Sequence, residues 1–284
     1  MQFPIRQLPL SEFPHLLKET PDAPRELFIR GSLPEATTYL CVVGSRATSL
    51  YGRRMCASLI AGLAGSPITI VSGLAIGIDS EAHKAALDVG LPTIAVLPSS
   101  CDDESLYPSI NKGLARQILV RSGALISENK APFKPRQYSF AQRNRIMAGM
   151  SHASLIIEAS EKSGTLITAR LALDYNREVL AIPHELGKES GAGSNRLIRE
   201  GATLVRSSED ILQALGLAAP AIQAPLPTDL TNAESKVLVE LTESLMRDEI
   251  IERTDLSAQE INIALSSLQI RGLIVERLGK IERS

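Results

Sequence analysis

The amino-acid sequence predicts an α/β protein with a doubly wound, mostly parallel sheet and a small C-terminal winged-helix-like domain. From residue 39 onward, short apolar runs alternate with segments whose apolar residues recur about every 3.6 positions, as in buried parallel strands separated by helices. After residue 216, an uncharged stretch with three prolines precedes three helical patterns and a hairpin pattern. Ligands of doubly wound folds bind at the carboxyl ends of the strands, so the strand-to-helix turns are the expected functional positions.

Seven strands and the helices between them follow from these patterns. Apolar side chains of the first helical pattern, such as Met55, Leu59 and Leu63, share one face. The run at 154–158 has no polar alternation in its centre, which suits a strand buried on both faces. The expected strands are residues 39–43, 68–71, 93–97, 124–126, 154–158, 179–182 and 203–205.

Composition shifts divide the chain into four parts. Residues 1–38 are broken by six prolines and are expected to pack on the core as an extension. Residues 39–216 form the predicted α/β domain, 217–230 the linker, and 231–284 the winged-helix-like domain. In the last domain, helices are expected at 233–245, 248–254 and 258–271, with a hairpin at 274–283 that turns at Gly279.

Charge and cysteine content exclude several classes of protein. The 30 basic and 32 acidic residues leave a net charge of -2, so a nucleic-acid site has to be a local patch. Neither the three cysteines nor the four histidines have metal-ligand spacing, and no cofactor motif is present, so no metal or cofactor is predicted. Without a signal-peptide pattern or a run of about 20 apolar residues, a cytoplasmic protein with no membrane contact is expected.

The segment from Asn129 to Ala148 concentrates positive charge and aromatic rings. It holds five basic residues, three aromatic residues and no acid. Arginine forks fit phosphate oxygens and aromatic faces stack on unpaired bases, so the segment suits single-stranded nucleic acid. A solvated loop followed by an ordinary amphipathic helix would explain the segment alone equally well. Its members are Lys130, Lys134, Arg136, Arg143 and Arg145, with Phe133, Tyr138 and Phe140.

Three further turns are rich in small and polar residues, at 43–46, 72–79 and 159–169. Glycines let a ligand approach the backbone, and the helices that follow offer their positive N-termini to anions. Helix capping alone explains any one of these residues, but four such turns in one sheet indicate a long polyanion-binding edge. Asp79 and Glu158 are possible facing carboxylates, although structural roles are commoner for such pairs, and no catalytic residue is predicted.

Taken in order, these motifs resemble the DprA/Smf family, the bacterial DNA-processing protein A. The matching residues are Val-Gly-Ser-Arg at 43–46, Tyr-Gly at 51–52, Ser-Gly-Leu-Ala-x-Gly-Ile-Asp at 72–79, Tyr-Pro at 107–108, Ser-Glu at 127–128, Phe140 with Arg-Asn-Arg-Ile at 143–146, Glu-Ala at 158–159, Ser-Gly-Thr-Leu-Ile-Thr-Ala at 163–169, and Gly-x-Asn-x-Leu-Ile at 193–198. The resemblance covers roughly residues 24–215.

The resemblance implies an extended Rossmann-like domain that binds single-stranded DNA and helps to load the RecA recombinase onto it. Such proteins act in natural transformation and recombination, and they form homodimers. By position, the implied DNA-binding residues are Gly44, Ser45, Arg46, Gly73, Gly77, Phe140, Arg143, Asn144, Arg145, Ser163, Gly164, Thr168 and Asn195. Three departures from the family pattern concern DNA affinity. Ile76 stands where the family usually carries Arg, Pro98-Ser99-Ser100-Cys101 replaces a glycine-rich turn before Tyr107, and His184-Glu185 replaces the usual glycine after Pro183.

The charge of the C-terminal domain and the residue at position 168 bear on two rival functions. Residues 228–284 hold seven basic against eleven acidic residues, which favours protein contact over duplex reading and disfavours a transcription regulator. The fold also resembles the cytokinin-activating phosphoribohydrolases (the LOG family), whose motif is P-G-G-x-G-T-x-x-E. Thr168 occupies the position of that glutamate, and a threonine cannot act as the acid or base of N-glycosidic cleavage.

Overall fold

The computed structural model describes residues 3–34, 38–218, 230–241, 245–271, 273–277 and 279–283. The chain divides into two compact units, Met1–Pro220 and Ala221–Ser284. Within the described ranges, no helix is long and apolar enough to cross a membrane.

The larger unit is built from alternating strands and helices. Its strands are β1 (Ile5–Leu8), β2 (Leu27–Gly31), β3 (Thr38–Gly44), β4 (Ile68–Ser72), β5 (Thr93–Val96), β6 (Ala124–Ser127), β7 (Ala153–Glu158), β8 (Glu178–Ala181) and β9 (Thr203–Leu204). Its helices are α1 (His15–Lys18), α2 (Leu50–Ala61), α3 (Ile78–Asp88), α4 (Lys112–Val120), α5 (Gln137–Met150), α6 (Thr165–Asp174), α7 (Ala192–Arg199) and α8 (Ser208–Ala214).

These strands form one sheet in the order β1-β2-β6-β5-β4-β3-β7-β8-β9. The pairs from β6 through β9 are parallel, whereas β2 is antiparallel to both β1 and β6. From β3 the chain winds outward to β6, then returns beside β3 as β7 and winds the other way. The switch point of the doubly wound sheet therefore lies between β3 and β7, where such folds bind their ligands.

Alternate side chains of β3 supply two hydrophobic cores, one on each face of the sheet. Leu40 and Val42 pack with residues of α2, α3 and α8. Cys41 and Val43 face the other way and pack with residues of α1, α5 and α6. This period of two in a fully buried strand is why the strand reads as a continuous apolar run.

The predicted fold class is confirmed, and each expected strand is present within about two residues of its predicted ends. At the N-terminus, β1 and β2 extend the sheet as an antiparallel pair. The segment between these two strands is rich in proline, which is typical of loops. Leu27 and Ile29 are nevertheless fully buried, and β2 pairs with β6. The N-terminal extension therefore contributes to the sheet itself.

The smaller unit contains α9 (Asn232–Glu240), β10 (Leu245–Met246), α10 (Arg247–Thr254), α11 (Ala258–Ile270), β11 (Ile274–Arg277) and β12 (Lys280–Arg283). Its strands form an antiparallel sheet in the order β10-β12-β11 around a core that includes Leu238 and Leu265. The helix predicted at 233–245 ends at Glu240, because Leu245 pairs with Ile281 in the sheet. The winged-helix assignment stays a prediction, and most of the predicted linker lies outside the described residues.

Candidate nucleic-acid interface

A cleft of about 490 Å³ opens at the carboxyl ends of β3 and β7, between α5 and α6. We call it the switch-point cleft, because it lies where the winding of the sheet reverses. Nine of the predicted site residues line it, from two turns and two helices. They are Gly44, Ser45, Arg46, Phe140, Arg143, Asn144, Ser163, Gly164 and Thr168.

The turn after β3 forms one wall of the cleft. The register of β3 against β7 shifts between Val43 and Gly44, which bends the chain away from the sheet. The Ser45 hydroxyl accepts a hydrogen bond from the Ala47 backbone N–H at 3.1 Å. Arg46 is exposed, and its guanidinium carbon lies 4.9 Å from the centre of the Phe140 ring, so the turn presents a solvent-facing cation.

Aromatic rings continue from this arginine along the rim. The Phe140 ring is half-buried on α5 and meets the Tyr107 ring at 5.8 Å between centroids, with the ring planes inclined at 77°. This edge-to-face geometry is favourable for two aromatic rings. Tyr107 was not among the predicted site residues, although its Tyr-Pro pair belongs to the motif run of the resemblance. No helical or strand period marked it, because it lies in a loop.

The opposite wall is the start of α6. The Ser163 hydroxyl accepts from the Thr165 backbone N–H at 3.2 Å and lies directly before Gly164, the N-cap residue of the helix. A methyl group at Gly164 would meet nothing within 4 Å, which shows that this position faces open space. Thr168 is buried one turn further along the helix. The wall therefore combines a helix N-terminus with hydroxyl groups, an arrangement that favours anions.

Arg143, a predicted site residue, is a buried member of the cleft lining. It is only 6% exposed, and its guanidinium lies 3.7 Å from the Asp79 carboxylate while donating to the Val96 carbonyl at 3.1 Å. A methyl group on Gly73 would overlap this guanidinium, so Gly73 leaves the space that Arg143 fills. Gly73 itself does not line the cleft. As placed, Arg143 forms the floor of the cleft through internal contacts.

The pKa shifts at this floor follow from burial. Burial raises the pKa of Asp79, and the nearby Arg143 offsets part of that rise. Burial likewise lowers the pKa of the Arg143 guanidinium, with Asp79 acting in the opposite direction. One turn beyond Asp79 on α3, His83 is fully buried beside the Thr93 hydroxyl at 2.7 Å, and burial lowers its pKa to about 3.

Arg145, a predicted site residue, does not line the switch-point cleft. Its guanidinium contacts both Glu128 carboxylate oxygens, at 2.5 and 2.7 Å, and donates to the Asp22 carbonyl at 2.6 Å. The Tyr175 hydroxyl donates to the Asp22 carboxylate at 2.6 Å, which adds a second link to the same turn. Arg145 therefore fastens the N-terminal extension to α5.

Gly77 and Asn195 also lie outside the cleft. Gly77 has a φ of +86°, and a side chain there would collide with the Ser45 backbone, so it permits close packing of two turns. The Asn195 amide makes two hydrogen bonds with the His184 backbone, at 2.9 and 3.0 Å, and orders the loop after β8. Both residues shape neighbouring loops in this structure.

The second predicted carboxylate, Glu158, is fully buried beside the start of α2. It accepts from the Ser49 backbone N–H at 2.8 Å and from the Thr48 hydroxyl at 3.1 Å, and these bonds lower its pKa in opposition to burial. Glu158 therefore fixes the entry to α2 and does not face Asp79 across the cleft. Among the described residues, no group of three or more His, Cys, Asp or Glu is arranged to hold a metal ion.

The sequence and the fold of the larger unit are shared with known proteins. The profile of the DNA recombination-mediator protein A family matches residues 8–216. Protein Smf of Escherichia coli is 44% identical over 207 residues, which are 72% of this chain and 55% of that protein. DNA processing protein DprA of Streptococcus pneumoniae is 40% identical over 201 residues, 70% of each chain. The chain thus spans little more than half the length of the Escherichia coli relative.

Two solved structures align with about three quarters of the chain. DNA processing protein A of Streptococcus pneumoniae has a TM-score of 0.67 at 38% identity and covers 75% of this chain and 74% of its own. DNA processing protein A of Helicobacter pylori has the same TM-score at 30% identity, with 75% and 96% covered. The latter structure is described as showing a unique single-stranded DNA binding mode.

Proposed function

The chain belongs to the DNA recombination-mediator protein A family, and from that premise we propose that it binds single-stranded DNA in the switch-point cleft. In this proposal the start of α6 and Arg46 receive phosphate groups, and Phe140 receives a base. The sugar-phosphate chain carries the affinity and the ring carries the preference for unpaired bases.

One observation supports this proposal most strongly. A single cleft at the topological switch point brings together a solvent-facing arginine, an aromatic ring and a helix N-terminus. Each group alone has an ordinary structural explanation. Their combination matches the chemistry of a nucleotide, which presents an anion and a flat apolar base within one repeat of the chain.

The family relationship also supports a role in DNA processing and recombination. We propose that the protein is a cytoplasmic homodimer that protects single-stranded DNA, helps to load a RecA-type recombinase, and thereby acts in transformation or recombination. Binding, without a chemical step, is the proposed mechanism. The Asp79 carboxylate at the floor of the cleft is occupied by Arg143, and Thr168 supplies no general base for cleavage of a nucleotide.

The test compares Arg46→Ala with Arg121→Ala. Arg121 is also exposed, but it lies between α4 and the start of β6. This is the amino end of the strand, whereas the cleft opens at the carboxyl ends of the strands. Fluorescence anisotropy with a labelled single strand should show about ten- to hundredfold weaker binding for Arg46→Ala, because a charge-assisted contact is lost. The salt dependence should also weaken, by about 0.7 in the slope of log K against log salt.

Arg121→Ala should bind like the wild type in both measurements. The matching duplex should bind more weakly than the single strand to all three proteins. Equal losses in the two arginine variants would place the DNA elsewhere, and a preference for duplex would contradict the proposed function. Incubation with a nucleoside monophosphate should release no free base, and its release would contradict the non-catalytic mechanism.

A further inference from the structure

We infer that Tyr107 is a second base-stacking residue, and that a DNA strand leaving the switch-point cleft continues over its ring. This inference rests on the proposed function and extends it to a residue outside the cleft lining. It comes from the geometry of Arg46, Phe140 and Tyr107.

Arg46 restricts access to the Phe140 ring. Arg46 lies over this ring at 4.9 Å from its centre, within the range of a cation–π contact. A base can use that face only after Arg46 has moved from the ring to a phosphate. Phe140 is also half-buried, so it offers limited aromatic surface to an arriving strand.

Tyr107 is more accessible, with 42% of its surface exposed. Its backbone N–H donates to the buried Ser99 hydroxyl at 3.3 Å, and the segment is tied again where Asn111 donates to the Leu74 carbonyl at 2.8 Å. Phe140 supports the ring from the side of the cleft. Tyr107 is thus an anchored aromatic ring that already faces solvent.

Two exposed isoleucines add apolar surface in the region of Tyr107. Ile110 follows in the same segment and is 79% exposed, and Ile76 is 48% exposed in the turn that contains Leu74. The hydrogen bond between Asn111 and Leu74 holds these two segments side by side. A strand that crosses here meets apolar side chains, so its bases rather than its phosphates have to face the protein.

The ring spacing also explains a preference for unpaired DNA. Bases in a B-form strand lie about 3.4 Å apart along the axis and are nearly parallel. The Phe140 and Tyr107 centroids are 5.8 Å apart and the rings are inclined at 77°. Two bases that follow these rings have to be pulled apart and turned, which a single strand permits and a stacked duplex resists.

The experiment measures binding of a single-stranded oligonucleotide to Tyr107→Ala, Tyr107→Phe and Tyr51→Ala across a salt series. Tyr51 is the matched control, because it is 43% exposed, also meets another ring edge-on, and does not line the switch-point cleft. Tyr107→Ala should bind about tenfold more weakly with an unchanged salt slope, since stacking is lost but no charge. Tyr107→Phe and Tyr51→Ala should bind like the wild type.

Two further comparisons separate direct stacking from support of Phe140. In a Phe140→Ala background, Tyr107→Ala should still weaken binding about tenfold, because Tyr107 itself touches a base. With an oligonucleotide whose bases are replaced by abasic sites, the same substitution should have no effect. Thermal unfolding of the full chain should be alike for Tyr107→Ala and the wild type within a few degrees.

The outcomes distinguish this inference from the proposed function. If Tyr107→Ala binds like the wild type while Arg46→Ala binds weakly, the inference is overturned and the cleft assignment stands. If Tyr107→Ala loses affinity only when Phe140 is present, Tyr107 acts as a support and the stacking role is again overturned. A wild-type protein that does not bind single strands would overturn both.

Discussion

Replacement of Arg143 by Ala should destabilise the larger unit severely. The substitution leaves the Asp79 carboxylate buried without its cation and removes the donor to the Val96 carbonyl. Loss of one partner of a buried ion pair costs about 3–5 kcal/mol, a large share of the roughly 5–15 kcal/mol that stabilises a typical domain. In a unit of this size the melting temperature should fall by roughly 6–20 °C.

Denaturant unfolding of the full chain, followed by circular dichroism, measures this loss. Arg121→Ala is the matched control, and as an exposed substitution it should change the free energy of unfolding by less than about 0.5 kcal/mol. The double variant Asp79→Leu/Arg143→Met replaces the pair by apolar groups and should recover most of the lost stability.

A DNA-binding measurement gives the result that could refute the ion-pair reasoning for Arg143. Because the Arg143 guanidinium is directed to internal partners, Arg143→Ala should leave the salt slope of single-strand binding unchanged at a temperature where the variant is folded. A variant that unfolds like the wild type, yet loses about 0.7 from the salt slope, would show that Arg143 binds phosphate and would refute the ion-pair reasoning.

Three other predictions concern buried groups near the cleft. Burial lowers the pKa of His83 to about 3, so His83 stays neutral in the folded protein at pH 5, where an unfolded histidine gains a proton. The free energy of unfolding of the wild type should therefore fall by about 2 kcal/mol between pH 7 and pH 5. Denaturant titrations should show that this loss is missing in His83→Asn. Gly73→Ala should destabilise by about 1–3 kcal/mol or more through overlap with Arg143, whereas Gly164→Ala, which meets open space, should unfold like the wild type. Arg145→Ala should release the N-terminal extension, which limited proteolysis would detect as faster cleavage near residue 22, and an unchanged cleavage rate would contradict the structural role.

The parallel strands of the sheet were predictable because a strand that is buried on both faces consists of a continuous run of apolar residues. A strand covered on both faces, such as β7, has no polar positions to interrupt its apolar run. The bounds and the pairing of the antiparallel strands β1 and β2 were not predictable in this way. Exposed residues such as Arg6 and Gln7 occupy half of β1, and the neighbouring prolines indicate loops in isolation. Only the pairing of β2 with β6, about a hundred positions later, makes the hairpin part of the sheet.

The candidate site was predictable in position but not in the role of each arginine. Arg46 and Gly164 lie in the turns where ligand contacts were expected, and Phe140 lies on α5 in the same cleft. Arg143 and Arg145 look equivalent in the sequence, since both carry charge on one helix. Their partners lie far along the chain, at Asp79 for one and at positions 22 and 128 for the other, and sequence periodicity contains no information on such pairs.

The two ends of the sheet limit how copies of this chain can associate. At one edge, β1 carries Arg6 and Gln7, whose side chains bond to Glu12 and Glu26, and it lies between two prolines. At the other edge, β9 is two residues long. Short, charged or proline-flanked edges resist pairing with another strand. A continuous sheet across two molecules is therefore disfavoured, and the homodimer we propose has to associate through helices or loops.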